Sequence, residues 1–426
     1  MRKTVPLTAS HLKPTAGHGA GCACCMPHED DDEDEPQDTQ QKGRTMKLSK
    51  RSDIETFRAL DNLRAVNERI ARGEDIIRLE AGQPCFGAPQ AALDYAIEMI
   101  KNDPRQGYTD ALGMTLLRDR IAVYYRDQYG EDLNYNRVTV TVGSSSGFIL
   151  AFLAAFDAGD TIALTTPTYP AYRNILKSLN LNIIEIETRA ETNYQPTAAL
   201  LEDSGKKFDG LIITSPSNPT GAMIDETELQ KICAWCEDND VRLISDEAYH
   251  RITYEKPAQT ALKYSKTAIV LNTFSKYFAM TGWRMGWVVV PGDMADRMKR
   301  LSESLFVSPP TLSQHVAYKI FDHIDVLDGY VAHYKKNRDI LREGLPKAGL
   351  KNLSAAQGAF YFYVDVSDLT NNAPDFCRQM LDEAGVSMTA GLDFDLTRGH
   401  QTLRISYAGT PEDMHEACAR LGKWLG

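Results

Sequence analysis

The chain is 426 residues long, 43% apolar and 25% charged, with a formal net charge of −11. That length suits two or three packed domains, and no apolar run nears the ~18–20 residues that span a bilayer. Residues 1–50 hold eight acids and seven bases, so a net −10 falls on the rest of the chain, with no basic stripe to meet a nucleic acid.

Residues 1–45 read as a disordered, low-complexity leader that includes the acid run "EDDDEDE" at 29–35. The N-terminus lacks the continuous apolar stretch of a secretory signal, so the expected location is the cytoplasm. Cys22, Cys24 and Cys25 lie between His18 and His28. Such a grouping suits a soft metal, but zinc sites want wider spacing, so the thiols are read as incidental and no metal site is expected. Eight cysteines scattered through a cytosolic chain do not predict disulfides.

From about residue 50 the texture changes. "DIETFRALDNLRAVNERIARG" has the periodicity of an amphipathic helix closing on Gly73. Strands and helices then alternate. "RVTVTVG" (137–143), "TIALTTP" (161–167), "NIIEIET" (182–188), "FDGLIITSP" (208–216), "VRLISDEAY" (241–249), "TAIVLNTFSK" (267–276) and "GWVVVPG" (286–292) read as strands. "SSGFILAFLAAFDAGD" (145–160), "AYRNILKSLN" (171–180) and residues 225–238 read as helices between them. Continuous Val/Ile/Leu runs of this kind are buried on both faces of a mostly parallel sheet. The spacing of Cys233 and Cys236 resembles a redox motif, but both sit on the apolar stripe of the 225–238 helix and are assigned to the core. Beyond about 310, helices mix with shorter strands, "AFYFYVDV" and "TLRISYAG", as in a smaller α+β domain.

In doubly wound sheets, ligands bind at the carboxyl ends of the strands. Here those ends carry Gly143-Ser144-Ser145, Pro167-Thr168-Tyr169, Ser217-Asn218-Pro219, Asp246 to Tyr249, and Thr273 to Lys276. Arg284 follows Lys276 by eight positions in "TFSKYFAMTGWR". Pyridoxal phosphate needs this set of groups: a lysine for its aldehyde, an acid for its ring nitrogen, hydroxyls, amides and an arginine for its phosphate, and an aromatic face. Lys276 is the Schiff-base candidate and Asp246 the partner of the ring nitrogen. Asn218 and Tyr249 suit the 3′-oxygen, and Tyr169 the stacking face. Ser144, Ser145, Thr273 and Arg284 suit the phosphate, at the start of a helix.

Together these stretches resemble the class I/II aminotransferases of the aspartate aminotransferase superfamily, fold type I. The resemblance rests on "LEAGQPCF", "GYTDALGMTLLRDRI", "VTVGSSSG", "PTYPAY", "SPSNPTGA", "SDEAY", "TFSKYFAMTGWRMGW", "SPPTLSQH", "QGAFYFYVDV" and "LRISYAG", which cover roughly residues 50–426. It implies a large cofactor-binding domain (86–305) around a mostly parallel seven-stranded sheet. A small α+β domain (306–426) would be joined by the N-terminal segment 46–85. It further implies that Arg404 receives the substrate α-carboxylate and that the Gly82 amide faces the same group. Tyr108 would reach the phosphate of a neighbouring subunit, making the protein a homodimer with shared sites.

The activity implied is ping-pong exchange of an amino group between an L-amino acid and a 2-oxo acid. The same scaffold also supports elimination, cyclisation and oxidation. A regulatory protein would need a DNA-binding module that the short, near-neutral leader does not supply. Two departures from the family pattern stand out: Gln357 before Gly358, and "CFGAP" (85–89), expected near the substrate entrance. No second basic residue is placed to select a side-chain carboxylate, which leaves apolar and aromatic donors open.

Overall fold

Among the described residues, runs of β-branched and aliphatic residues form thirteen strands, which backbone pairing sorts into three sheets. The computed structural model describes residues 46–56 and 58–426, so the leader and the cysteines at 22–25 lie outside the described residues. The strands are β1 (Ile77–Arg78), β2 (Val138–Thr141), β3 (Thr161–Thr166), β4 (Asn182–Glu187), β5 (Gly210–Thr214), β6 (Arg242–Asp246) and β7 (Ile269–Thr273). They continue with β8 (Gly286–Val289), β9 (Asn352–Leu353), β10 (Tyr361–Asp365), β11 (Val386–Ser387), β12 (Thr389–Ala390) and β13 (Thr402–Ser406).

The seven-stranded sheet has the order β2-β8-β7-β6-β5-β3-β4. Only β8 runs against its neighbours, pairing antiparallel with both β2 and β7. Alternate side chains leave opposite faces. In β5, Leu211 and Ile213 join one apolar cluster while Ile212 joins another. In β7, Val270 divides from Ile269 and Leu271 in the same way. Both faces are therefore buried, as the unbroken apolar runs require.

Helices α1 (Arg58–Ala71), α2 (Gln90–Asn102) and α3 (Thr115–Tyr129) precede this sheet. Three more, α4 (Gly143–Ala155), α5 (Ala171–Ser178) and α7 (Glu226–Asp238), connect its strands, with α6 (Ala198–Asp203) a short turn between β4 and β5. Cys233 and Cys236 of α7 are buried in the core, where burial pushes both thiols up, Cys233 to about 12. They pack; nothing there favours a thiolate.

Four antiparallel strands form a second sheet in the order β12-β13-β10-β9, and β1 pairs with β11 in parallel. The backbone after β1 continues along the second sheet: Ser406 N–H donates to the Leu79 carbonyl at 2.7 Å. That contact carries "LEAG" beside Arg404. Helix α1 starts at Arg58 rather than near residue 53, because its first turn is held by a distant side chain: Ala59 N–H donates to Asp393 Oδ2 at 2.7 Å. Gly73, φ +90°, closes the turn after it as the sequence suggests.

Candidate active site

A cavity of about 250 Å³ opens at the carboxyl edge of the large sheet. Ser144, Ser145, Tyr169, Asn218, Asp246, Tyr249, Thr273, Lys276, Arg284, Gly82 and Arg404 all line it. Tyr108 does not, and is 86% exposed on this chain.

Register explains the floor. β5 and β6 pair so that Thr214 lies opposite Asp246, and both are terminal residues of buried strands. The Asp246 carboxylate accepts a short hydrogen bond from the Tyr172 hydroxyl, which also lies 2.9 Å from Thr214 Oγ1. Its other oxygen accepts the Ala248 N–H at 3.0 Å. Burial lifts this carboxyl to about 6, opposed by the Tyr172 and Ala248 hydrogen bonds and by the charge of Lys276. The donors hold the ionised form in reach of neutral pH.

Lys276 lies just past the end of β7. Its amine donates to the Gly82 carbonyl at 2.7 Å and sits 5.7 Å from the centre of the Tyr249 ring. Burial, with the positive Arg404 and Arg284 nearby, depresses the amine to about 8 against the pull of Asp246. A neutral amine is thus available near physiological pH, which nucleophilic and general-base chemistry both need. Tyr249 donates or accepts across 2.8 Å with Tyr361, and burial keeps its phenol neutral by raising it well above the ordinary range.

One wall suits an anion. α4 begins at Gly143, and Ser144 and Ser145 present its first turn to the cavity. Arg284, held with a left-handed φ of 55°, is exposed and donates Nη1 to the Thr281 carbonyl at 3.0 Å. Gly143 has φ +71°, and a Cβ there would collide with Nη2 of Arg284. A Cβ on Gly286 of β8 would come within 2.8 Å of the Ser144 nitrogen. Two glycines therefore let the helix start, the strand and the guanidinium close on one point.

The second sheet supplies the opposite wall. Arg404 on β13 is buried between two rings, its guanidinium 4.7 Å from Tyr361 and 4.9 Å from Phe394. Nη2 donates to the Glu80 carbonyl at 2.7 Å and Nη1 to Asn218 Oδ1 at 3.2 Å. Its buried Nε finds no acceptor among the described residues. A planar fork with an unspent donor suits a carboxylate. Gly82 lies against it: a Cβ there would meet Tyr361 Oη at 2.8 Å and Arg404 Nη1 at 3.6 Å.

The lining also contains residues that sequence reasoning did not single out: Tyr172, Thr214, Tyr361, Glu80, and Ala59, Leu60 and Leu63 of α1. Tyr172 was readable in outline, since it follows the stacking candidate Tyr169 by three positions in "TYPAY". The α1 residues gave no signal apart from an amphipathic stripe. Conversely, Cys85 and Phe86 of "CFGAP" are not on the cavity wall: Phe86 stacks on Tyr330 at 4.1 Å, and Cys85 Sγ points to the Gly409 carbonyl at 3.6 Å. Gln357 spends its side-chain oxygen on Asn193 Nδ2 at 2.7 Å and on Met223 N–H at 3.1 Å.

The model of the family "Aminotransferase class I and II" matches residues 74–421. The valine–pyruvate aminotransferase of Mycobacterium tuberculosis is 42% identical over 385 residues, 89% of this chain and 99% of that protein. Among solved structures, an aminotransferase from Mycobacterium tuberculosis superposes with a TM-score of 0.87 at 42% identity, covering 89% of this chain and 99% of that one. The aspartate aminotransferase of Thermus thermophilus, solved with maleate, gives 0.84 at 26% identity, over 89% and 100%.

Proposed function

Since the chain belongs to the class I and II aminotransferases, we propose that it moves the amino group of an apolar L-amino acid to a short 2-oxo acid, with pyridoxal 5′-phosphate as resident cofactor. The observation that carries the reading is the cavity's set of basic groups. Among the described residues, Lys276, Arg284 and Arg404 are the basic side chains that line it. One suits the tether, one the phosphate and one the α-carboxylate, so this chain's described residues offer no further cation for a second substrate carboxylate. The name of the valine–pyruvate relative points the same way.

The donor set fits the cofactor. Ser144, Ser145, Thr273 and Arg284 would hold its phosphate at the crowded start of α4. Asp246 would face its ring nitrogen, Tyr169 its ring, and Asn218 and Tyr249 its 3′-oxygen. When bound, pyridoxal phosphate supplies the electron sink that makes the substrate Cα–H bond acidic. The chain's own groups do the rest. Arg404 would take the α-carboxylate along one edge of its fork, fixing how the Cα–H bond points. Lys276 Nζ, depressed to about 8, removes that proton and delivers it elsewhere as general base and acid. Tyr172 and Ala248 keep Asp246 charged throughout. In the ping-pong cycle the same Arg404 then receives the second 2-oxo acid, so donor and acceptor share one receptor.

The proposal includes a homodimer in which Tyr108 of each chain completes the partner's phosphate site. It also includes division of the chain near residues 85 and 305. No helix among the described residues is long and apolar enough to cross a membrane.

The test is direct. Valine and pyruvate incubated with purified protein should yield alanine and the 2-oxo acid of valine, without ammonia. Lys276→Ala should fold, lack the visible band of the lysine-bound cofactor, and lose at least about 10³-fold in rate. Release of ammonia, or turnover in that variant, overturns the proposal.

A further inference from the structure

Helix α1 contributes a compact apolar wall to an otherwise polar and aromatic cavity. Ala59, Leu60 and Leu63 fall within its first two turns and line the same space. Leu60 is 53% exposed, an apolar side chain on the wall of the cavity that Lys276 also lines. Of the α1 arginines, Arg64 pairs with Asp61 at 3.0 Å and Arg69 with Glu74 at 2.6 Å, and none, Arg58 included, lines the cavity.

The wall is seated from far away in sequence. Asp393 is buried, and its Oδ2 accepts the Ala59 N–H at 2.7 Å. The turn that carries Asp393 is itself clamped to the large sheet's elements. Arg173 donates to the carbonyls of Asp393 and Phe394, each at 3.1 Å, and Thr168 N–H donates to the Phe394 carbonyl at 2.9 Å. Phe394 then lies against the Arg404 guanidinium. One short turn therefore sets two positions at once: the carboxylate fork, through Phe394, and the apolar wall, through Asp393.

We infer that Leu60 and Leu63 determine donor specificity by packing on the substrate side chain, adding affinity for branched aliphatic amino acids while the same pocket still serves short ones. Asp393 is the positioning residue that fixes the distance between that wall and Arg404. The inference rests on the aminotransferase reading of the cavity given above. A substrate methyl or two packed on leucine is worth roughly a 10–200-fold preference. Burying the open face of Leu60 supplies it without any charge pair.

The experiment uses the full-length holoenzyme and follows decay of the cofactor's visible band in a single turnover with valine, alanine or aspartate alone, so no acceptor is involved. Leu60→Ala and Leu63→Ala should each lower the second-order rate with valine about tenfold and with alanine less than about twofold. Leu60 is half open to solvent, so its truncation leaves folding intact and keeps the test decisive. Asp393→Ala should raise the half-saturating valine concentration about tenfold while the limiting rate stays within about twofold. Asp393→Asn, whose amide oxygen still accepts the Ala59 N–H, should restore the wild-type value.

Equal losses with valine and alanine in the leucine variants would overturn the inference, as would an unchanged valine requirement in Asp393→Ala. A wild type faster with aspartate than with valine would overturn it too. A wild type whose band answers no amino acid removes the aminotransferase reading and this inference together. A wild type that answers valine and alanine, with leucine variants of unaltered preference, removes this inference alone.

Discussion

Lys276 and Asp246 depart from ordinary acidity in opposite directions for the same reason, loss of water around a charge. For the lysine this has a measurable consequence in the cofactor-free protein. Only the neutral amine can attack an aldehyde, and the amine sits at about 8. The rate at which added pyridoxal phosphate develops its visible band should rise about tenfold per pH unit below pH 8 and level off above it. A rise that continues to pH 10 would mean the amine is not depressed.

Glu247, beside Asp246, is a second case. Burial lifts its carboxyl to about 8, although Oε1 accepts hydrogen bonds from Ala261 N, Thr260 and Ser245. Its Oε2 is buried 3.4 Å from Nδ1 of a His250 that burial pushes down to about 3 and so keeps neutral. Between roughly pH 4.5 and pH 8 the folded state holds a proton that the unfolded chain has released. Stability must therefore fall as pH rises through that window and flatten above it. Glu247→Gln removes the titration and keeps the acceptor. Its gain in unfolding free energy over wild type, measured by urea titration, should grow from pH 5 to pH 8, reaching about 1–3 kcal/mol. A gain independent of pH would refute the assignment.

At the scale of elements, the strands were legible because each is a continuous apolar run, and a site at their ends follows from parallel-sheet topology. Ser144 and Ser145 of "GSSSG", Asp246 and Tyr249 of "SDEAY", and Thr273, Ser275 and Lys276 of "TFSK" reach the cavity for that reason. What stayed hidden depends on packing between segments distant in sequence. Tyr361 lies in a strand whose alternation shows two faces but not which face meets Tyr249. The start of α1 is fixed by Asp393, and no local pattern announces a cap 334 residues away. Lys276 declared itself by company, whereas Leu60 and Leu63 looked like any helix stripe.

The start of α4 gives the element-scale prediction. Gly143 combines a positive φ with a Cβ position that Arg284 occupies. Gly143→Ala should cost about 1–2 kcal/mol of stability and displace the guanidinium from the helix start. Cofactor retention measured by equilibrium dialysis should weaken about tenfold or more. Unchanged retention would separate Arg284 from the anion wall.

For the whole molecule, the question is whether one chain suffices. Tyr108 stands 86% exposed, away from the cavity of its own chain, as the proposed exchange between subunits requires. Lys276→Ala and Tyr108→Ala proteins, each impaired alone, should recover activity when unfolded and refolded together. A mixed dimer carries both lesions in one site and none in the other, so recovery should approach about a quarter of wild type. No recovery above the parents would place Tyr108 outside catalysis.

The single reversed strand, β8, has its own consequence. Because it turns back directly against β7, with Thr273 opposite Gly286, Lys276 and Arg284 ride on one hairpin end. Under the proposed assignment, the covalent anchor and the electrostatic grip on the vitamin therefore share one structural support, and a substitution that loosens that hairpin end weakens both.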